Sequence, residues 1–348
     1  MQNVPPGYRM PAEWEPHAAT WMVWPQNVDD WPGKFAPIAW VYADIVRHLS
    51  KVETVHLIVA NGAVESKASR ALLQTSVELH NIRFHHWPTN RGWTRDSGPI
   101  FVKNDHRILV TNWGFNAWAK YDDWPLDDRL PHLVAECVGV DEYVPMSNGR
   151  RLILEGGSID VDGAGLMLTT EECLLSDVQQ RNPGVGRAEL EAAFREYLGV
   201  EKVIWLGRGV VGDDTHGHVD DIARFVDRGA VVTVVEDDPA DENYEPLQEN
   251  LARLREATDL DGRPLRIATL PMPSPVVFNG QRVPASYANF YIANDVVLVP
   301  TFNDPNDRVA LNILADLFPS RQIVGIHSRD LIWGLGALHC MTQQQPAS

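Results

Sequence analysis

The sequence predicts an α/β protein built as a ring of five similar ββαβ-type units. Five stretches share one pattern: a polar or acidic lead residue, a short apolar strand, a tight Asn, Asp or Gly turn and, in most of them, a second strand. Successive lead residues lie 59, 65, 69 and 51 positions apart. The last stretch lacks a return strand, and the strand at residues 19–24 lacks a preceding partner, so pairing the two would close the ring and remove its exposed edges. An ordinary α/β fold with one mixed sheet is the alternative.

Local sequence patterns predict each of the hairpins, helices and strands. Hairpins are expected in residues 96–110, 155–168, 220–235 and 289–299, and an incomplete one in residues 338–342. Apolar side chains repeating every three to four residues predict helices in residues 38–49 and in residues 190–198, the latter ending before Gly199. A capping box at residues 169–172 predicts the start of a short helix, and Asp304-Pro305 predicts the start of another. Further apolar strands are expected at residues 55–59, 203–206 and 322–325.

Composition and charge exclude several classes of function. The chain has 348 residues, is 44% hydrophobic and carries a formal net charge of −17. An acidic surface repels phosphates and anionic membranes, which argues against nucleic acid as a partner and favours a small cationic ligand, although solubility alone also explains such a charge. No apolar run reaches the ~18 residues of a membrane span, residues 1–13 lack a signal-peptide core, and no linker divides the chain. We therefore expect one catalytic domain, residues 1–348, in the cytoplasm.

The lead residues of the five units suggest a chemistry. They are Asp96, Glu155, Asp220, Asn289 and Cys340, and His218 lies two places before Asp220, on the same side if both are on a strand. Clustered carboxylates repel one another unless a cation lies between them, and a guanidinium, planar with five N–H donors, suits them. The three carboxylates are thus predicted to hold a guanidinium whose central carbon faces the Cys340 thiolate, with His218 as general acid and base.

Other interpretations of these residues stay open. The pattern His216-Gly217-His218-x-Asp220, with His327 and His339 elsewhere, is compatible with a zinc hydrolase. A cation-binding module without catalysis is a third class, and it leaves Cys340 without a role. Cys137 and Cys173 lie in helix-like apolar stretches and are expected to be buried small hydrophobes.

Several strings of residues also carry a resemblance that covers nearly the whole chain, from about residue 8 to 346. They are Glu13-Trp14-Glu15-Pro16-His17, Trp93-Thr94-Arg95-Asp96-Ser97-Gly98-Pro99, Leu154-Glu155-Gly156-Gly157-Ser158, Gly217-His218-Val219-Asp220, Tyr291-Ile292-Ala293-Asn294 and His339-Cys340-Met341-Thr342. Together they resemble the agmatine deiminase family of guanidino-group modifying enzymes, which belongs with peptidylarginine deiminase-like proteins. The resemblance implies a five-bladed α/β propeller with pseudo-fivefold symmetry, the pentein fold.

The resemblance also implies a reaction: agmatine and water give N-carbamoylputrescine and ammonia, without a metal or an organic cofactor. By motif, Cys340 resembles the nucleophile that forms an amidino-cysteine intermediate, and His218 resembles the acid and base. Asp96 and Asp220 resemble the pair that binds the guanidinium, and Glu155 resembles the third carboxylate. Asp214 is similar to a substrate-contacting aspartate and Trp93 to a tryptophan that lines the pocket.

The chain departs from the family pattern at two places near the expected pocket. It has Leu335 and Ala337 where the family has Gly and Asn, and His216 where the family often has Asn. We expect these changes to affect recognition of the substrate's tail more than the reaction at its guanidinium. A deiminase of peptidylarginine or of free arginine, or more distantly an amidinotransferase, therefore remains an alternative, and no Arg partner for an α-carboxylate is evident in the sequence. Ten of the 12 Trp residues precede residue 125, which together with family precedent favours a homodimer.

Overall fold

A computed structural model describes residues 4–348 as a mixed α/β protein. Its strands are β1 (His17–Val23), β2 (Thr54–Val59), β3 (Ile82–His86), β4 (Ile100–Lys103), β5 (Ile108–Thr111), β6 (Glu142–Tyr143), β7 (Met146–Ser147), β8 (Arg150–Arg151), β9 (Asp160–Val161), β10 (Leu166–Thr170), β11 (Lys202–Leu206), β12 (Ala223–Asp227), β13 (Ala230–Val235), β14 (Arg266–Pro271), β15 (Val277–Phe278), β16 (Gln281–Arg282), β17 (Tyr291–Ile292), β18 (Val296–Thr301), β19 (Gln322–His327) and β20 (Gln343–Pro346). Its helices are α1 (Phe35–Leu49), α2 (Gly62–Gln74), α3 (Thr94–Ser97), α4 (Leu130–Val138), α5 (Glu171–Leu175), α6 (Arg187–Leu198), α7 (Tyr244–Glu256) and α8 (Asn306–Leu317). The mixed α/β class expected from the sequence is confirmed.

Four sheets share one strand order, an antiparallel hairpin extended by a parallel third strand. These sheets are β4-β5-β6, β9-β10-β11, β12-β13-β14 and β17-β18-β19. The chain reaches the parallel strand through α4, through α5 and α6, through α7 and through α8, in that order. Such crossovers are required because parallel neighbours cannot be joined by a short turn. The four hairpins predicted from the sequence are thus present.

A fifth sheet joins the two ends of the described chain, in the order β20-β1-β2-β3. β1 pairs antiparallel with β20, with Thr20 opposite Gln344, and parallel with β2. The pairing expected between residues 19–24 and the last stretch therefore exists, but it starts later than predicted. Residues 338–341 form a turn instead of a strand, and this turn carries Cys340.

Two local predictions were wrong: the residue that caps α5 and the strand expected at His218 and Asp220. Thr170, not Thr169, caps α5, because its hydroxyl accepts the backbone N–H of Cys173 at 3.1 Å. His218 and Asp220 are not on a strand, since residues 219–221 form a 3-10 turn that precedes β12. Alternation along a strand therefore does not explain their placement, although both side chains reach the same site.

Apolar side chains between helices and sheets form the interior. The predicted stripe of α1 is an example, because Ile38, Tyr42, Ile45 and Leu49 are fully buried. α6 ends as predicted at Gly199, whose φ of 67° lies in the left-handed region that glycine adopts without a Cβ clash. Among residues 4–348, no helix combines the length and the apolar character needed to cross a membrane.

Candidate active site

Gly157 marks the point where three of the predicted site residues converge. A Cβ at this position would lie 2.6 Å from Nδ1 of His218, 2.8 Å from Oδ1 of Asp96 and 3.1 Å from Oδ2 of Asp220. At distances this short, any side chain larger than that of glycine would displace His218 and Asp96. The turn at residues 156–158 thus lets three buried side chains approach one stretch of backbone.

Asp96 lies in the short helix α3 and is held by two donors. Its Oδ1 accepts the backbone N–H of Gly157 at 3.1 Å, and its Oδ2 accepts the indole N–H of Trp118 at 2.9 Å. Burial, opposed by His218 and reinforced by Asp220 and Glu155, raises the pKa of Asp96 to about 6. This carboxylate is therefore ready to pair with a cation at neutral pH.

Trp118 reaches Asp96 from a turn whose backbone is left-handed. Ala117, Trp118 and Ala119 all have left-handed backbone angles, with φ of 48°, 59° and 53°. For L-residues this conformation costs roughly 1–2 kcal/mol each, so the turn is strained. The same turn carries Lys120 and Tyr121, which both bond to Asp214, the Tyr121 hydroxyl donating to Oδ2 at 2.7 Å. No feature of the sequence other than its abundance of Trp pointed to this role.

Glu155 lies between Arg181 and His218. Its Oε1 accepts from Nε of Arg181 at 3.0 Å, and its Oε2 lies 3.7 Å from Nε2 of His218, while Nδ1 of His218 lies 3.7 Å from Oδ1 of Asp96. Burial acts against ionisation, but Arg181 and His218 hold the pKa of Glu155 at about 2. Burial likewise disfavours the imidazolium, but Asp96, Cys173 and Glu155 raise the pKa of His218 well above its usual value. These neighbours thus favour the imidazolium form of His218.

Cys173 departs from the expectation of a merely apolar side chain. It is buried, but its sulfur and one ligand atom each of Glu155 and His218 all lie within 4.8 Å of one another. Cys137 is exposed, so the expectation that it is buried was wrong. Of the histidines in the zinc interpretation, His216 has its Nε2 3.2 Å from the hydroxyl of Ser176, and His339 pairs with Asp220 and Glu13. His218 lies in the group with Glu155 and Cys173, whose spacing is compatible with a metal ion.

A second buried network holds Asp220. Nδ1 of His339 lies 2.7 Å from Oδ2 of Asp220, and Nε2 of His339 lies 2.8 Å from Oε2 of Glu13. Arg224 also donates to that oxygen of Glu13 at 2.8 Å. Burial raises the pKa of Asp220, but the hydrogen bond from His339 and nearby cations lower it below its usual value. Oδ1 of Asp220 has no partner within the part of the chain that the structure describes, so it is available to a ligand.

Cys340 lies beside this network. Its Sγ is 3.8 Å from Oδ2 of Asp220 and accepts a hydrogen bond from the side-chain amide of Asn289 at 3.1 Å. Burial, with Asp220, Asp221 and Asp96, raises the pKa of the Cys340 thiol well above its usual value. A bound cation is therefore needed before the thiolate, the reactive form, is favoured. The structure brings the five lead residues and His218 together. Glu13, Trp118 and Arg181 were not foreseen beside them, and His339 was considered only as a possible zinc ligand.

A cavity of about 300 Å³ leads to Cys340 and Asp96. Trp93 and Asp214 line it, as expected, and so does Leu335. A Cβ on Gly336 would lie 2.6 Å from Cζ3 of Trp93 and 3.1 Å from Cβ of Cys340, so the indole packs beside the thiol. The departure from the family pattern at Leu335 thus faces the cavity.

The outer part of the cavity is rich in carboxylates. Asp29, Asp30 and Asp214 line it together with one Arg, Arg91. Both ends of the Arg91 guanidinium are occupied, because it donates to Asp30 at 2.9 Å and to Asp123 at 2.9 Å. Burial, opposed by Arg91, raises the pKa of Asp30 to about 7. Asp29, Asp30 and Asp214 together still outnumber the two cations, Arg91 on Asp30 and Lys120 on Asp214, so the outer part suits a cationic group better than an anionic one.

Comparisons with known proteins agree with this geometry. The model of the Porphyromonas-type peptidyl-arginine deiminase family matches residues 9–346. The chain is 39% identical to an agmatine deiminase of Stutzerimonas stutzeri, over 98% of this chain and 96% of that protein. Two solved structures are similar: agmatine deiminase of Enterococcus faecalis (TM-score 0.90, 35% identity, 98% of this chain and 96% of that one) and a C. jejuni agmatine deiminase with substrate bound (TM-score 0.86, 27% identity, 99% and 98%). With nearly its full length matched, the chain belongs to the Porphyromonas-type peptidyl-arginine deiminase family.

Proposed function

We propose that this protein is an agmatine deiminase, which hydrolyses agmatine to N-carbamoylputrescine and ammonia through a covalent amidino-cysteine. The observation that carries the proposal is the convergence of three buried carboxylates, an imidazole and a thiol, of which Asp96 and Cys340 line one cavity. The names of the similar enzymes support the same reaction. No metal or organic cofactor takes part in it.

In the first half-reaction, Asp96 and Asp220 bind the guanidinium and hold its central carbon beside Cys340. The positive charge of the substrate favours loss of the thiol proton to solvent, and the thiolate forms a bond to that carbon. The imidazolium of His218 gives its proton to the departing nitrogen, and ammonia leaves as the C–N bond breaks. Glu155, with its free oxygen toward His218, helps to maintain the positive charge of that ring.

In the second half-reaction, His218 has become neutral and accepts a proton from water. The resulting hydroxide adds to the same carbon, the C–S bond breaks, and Cys340 leaves as a thiolate. The O–H proton of the adduct is lost to solvent, which leaves the neutral ureido group. Asp96 and Asp220 stabilise the positive charge of the amidino-thioether until it is lost. The products are the ureido group and the free enzyme.

The outer cavity supports agmatine over free arginine. The aliphatic tail would lie along Trp93, with its ammonium among Asp29, Asp30 and Asp214. Arginine would bring an α-carboxylate to the same place. Arg91 is the residue that an α-carboxylate would need, but Asp30 and Asp123 already occupy it.

One assay tests the proposal directly. Agmatine, arginine and a blocked arginyl peptide are each incubated with the protein after dialysis against EDTA, and ammonia and ureido product are measured. We expect agmatine to be the fastest substrate and EDTA to have no effect. The Cys137→Ser variant, changed at an exposed thiol, is the matched control for Cys340→Ser. Faster turnover of arginine, or turnover that requires added metal, would overturn the proposal.

Several features of the assembly belong to the same proposal. The shared strand order of the sheets and the β20–β1 pairing support a single domain of five units arranged as a pentein propeller around the site. A crystal structure without a common axis for the five sheets would contradict this. We further propose a homodimer, to be tested by light scattering, and work in the cytoplasm, because a thiol nucleophile needs a reducing compartment.

A further inference from the structure

The side chain of Asn289 is the polar group nearest to the nucleophile that the mechanism above leaves unused. Asn289 is fully buried, and its Nδ2 donates to Sγ of Cys340 at 3.1 Å. We propose that Asn289 is a catalytic residue that stabilises the thiolate of Cys340, both when it attacks and when it leaves. This inference rests on the proposed function, because it assigns Cys340 as the nucleophile.

The orientation of the Asn289 amide follows from its surroundings. The backbone N–H of His339, which can only donate, lies 3.0 Å from Oδ1 of Asn289. The amide oxygen must therefore face His339, and the NH₂ group must face the opposite side. There its two hydrogens have two acceptors, Oδ1 of Asp221 at 3.0 Å and Sγ of Cys340. Rotation of the amide by half a turn would leave the His339 N–H facing another donor.

The charges around Cys340 explain why a donor is needed there. Asp220, Asp221 and Asp96 all disfavour a negative sulfur, and burial removes the water that would otherwise solvate it. The amide of Asn289 and the backbone N–H of Ala337 act in the opposite direction. Hydrogen bonds to charged groups are worth about one to two pKa units. A neutral donor provides this without repelling the incoming guanidinium, as a Lys or Arg in the same place would.

The amide also acts differently at different stages. A thiolate is a strong acceptor, whereas the sulfur of an amidino-thioether is a weak one. The hydrogen bond is therefore strongest before the C–S bond forms and after it breaks. Stabilising the thiolate as the leaving group accelerates collapse of the second adduct, so Asn289 contributes to both half-reactions.

The test measures the reactivity of Cys340 independently of substrate. In a Cys137→Ser background, alkylation of Cys340 by iodoacetamide is followed at fixed pH by mass spectrometry of its peptide, and kcat/KM for agmatine is measured in parallel. We expect Asn289→Ala to slow alkylation about 4- to 15-fold, since the loss of thiolate is partly offset by greater nucleophilicity. A similar loss is expected in kcat/KM.

Two further variants separate this role from packing. Asn289→Asp keeps the shape of the side chain and is expected to slow alkylation at least as much as Asn289→Ala does. It provides a second test if Asn289→Ala fails to fold. Asp221→Asn alters the same network but keeps an amide oxygen as an acceptor for Asn289, so alkylation should not slow as it does in the Asn289 variants. Mere disruption of packing would expose Cys340 and accelerate alkylation in all three.

Equal or faster alkylation in both Asn289 variants would overturn the inference. If the parent protein converts no guanidine at all, the proposed function fails, but the alkylation rates still report whether Asn289 stabilises the sulfur.

Discussion

The hydrogen bond from Trp118 to Asp96 should set the pH at which the protein begins to bind a guanidinium. Asp96 must be ionised to hold the substrate, and its pKa is raised by burial to about 6. The indole N–H of Trp118 favours the ionised form, because it donates to Oδ2 at 2.9 Å. Replacing Trp118 by Phe keeps an aromatic ring and removes this donor; the accompanying loss of ring volume is matched by a second Trp→Phe variant below.

The size of the effect follows from the geometry. A hydrogen bond to a charged group is worth about 1.5–3 kcal/mol, and one pKa unit corresponds to about 1.4 kcal/mol. Trp118→Phe should therefore raise the pKa of Asp96 by about one to two units. Because the carboxylate is present only above its pKa, affinity for agmatine should fall about 10- to 100-fold below pH ~6, and the two proteins should converge well above pH ~8.

The measurement is the dissociation constant of agmatine against pH by calorimetry, in a Cys340→Ser background. Serine prevents turnover and removes the titrating thiol. Trp113→Phe is the matched control, because the indole of Trp113 is also buried but donates to the neutral hydroxyl of Thr111 at 3.0 Å. An acid limb at the same pH in Trp118→Phe and the parent would refute the assigned role of the indole.

Three further predictions concern other named contacts. Cys340→Ser should bind agmatine with nearly unchanged affinity but show no turnover in the ammonia assay; retention of most activity would mean that another residue is the nucleophile. Arg181→Met should lower the free energy of unfolding in urea by about 3–5 kcal/mol, because it leaves the carboxylate of Glu155 buried beside an apolar side chain; a loss below about 1 kcal/mol, typical of exposed pairs, would contradict this. Asp214→Asn should raise KM for agmatine but not for butylguanidine, which lacks the ammonium; equal changes for both would show that Asp214 does not contact the tail.

Repetition in the sequence made the main features of the site predictable. The hairpins are marked by short apolar runs and by Asn, Asp or Gly turns, and the lead residues occupy equivalent places before them. Asp96, Glu155, Asp220 and Cys340 can therefore be grouped from the sequence alone. Asn289 belongs to the same group, although its contact with the sulfur depends on the orientation of an amide, which sequence does not specify.

The partners of these residues could not be predicted in the same way. Glu13 reaches His339 across 326 positions of sequence, and the indole of Trp118 reaches Asp96 from a left-handed turn outside the five hairpins. Such contacts depend on tertiary packing, not on local periodicity. His218 was placed in the site for a wrong reason, because it does not lie on the strand assumed for it but directly before a 3-10 turn.

The left-handed turn at residues 117–119 has a consequence for how substrate preference can evolve. It carries the donor to Asp96 at the inner end of the cavity, and directly after it come Lys120 and Tyr121, which hold Asp214 at the outer end. A mutation here that admitted a new substrate tail would also move the pH at which the guanidinium binds. Retargeting should therefore proceed through Leu335, which lines the cavity outside this turn and already differs from the family pattern. Libraries for directed evolution of this enzyme are best built at that position.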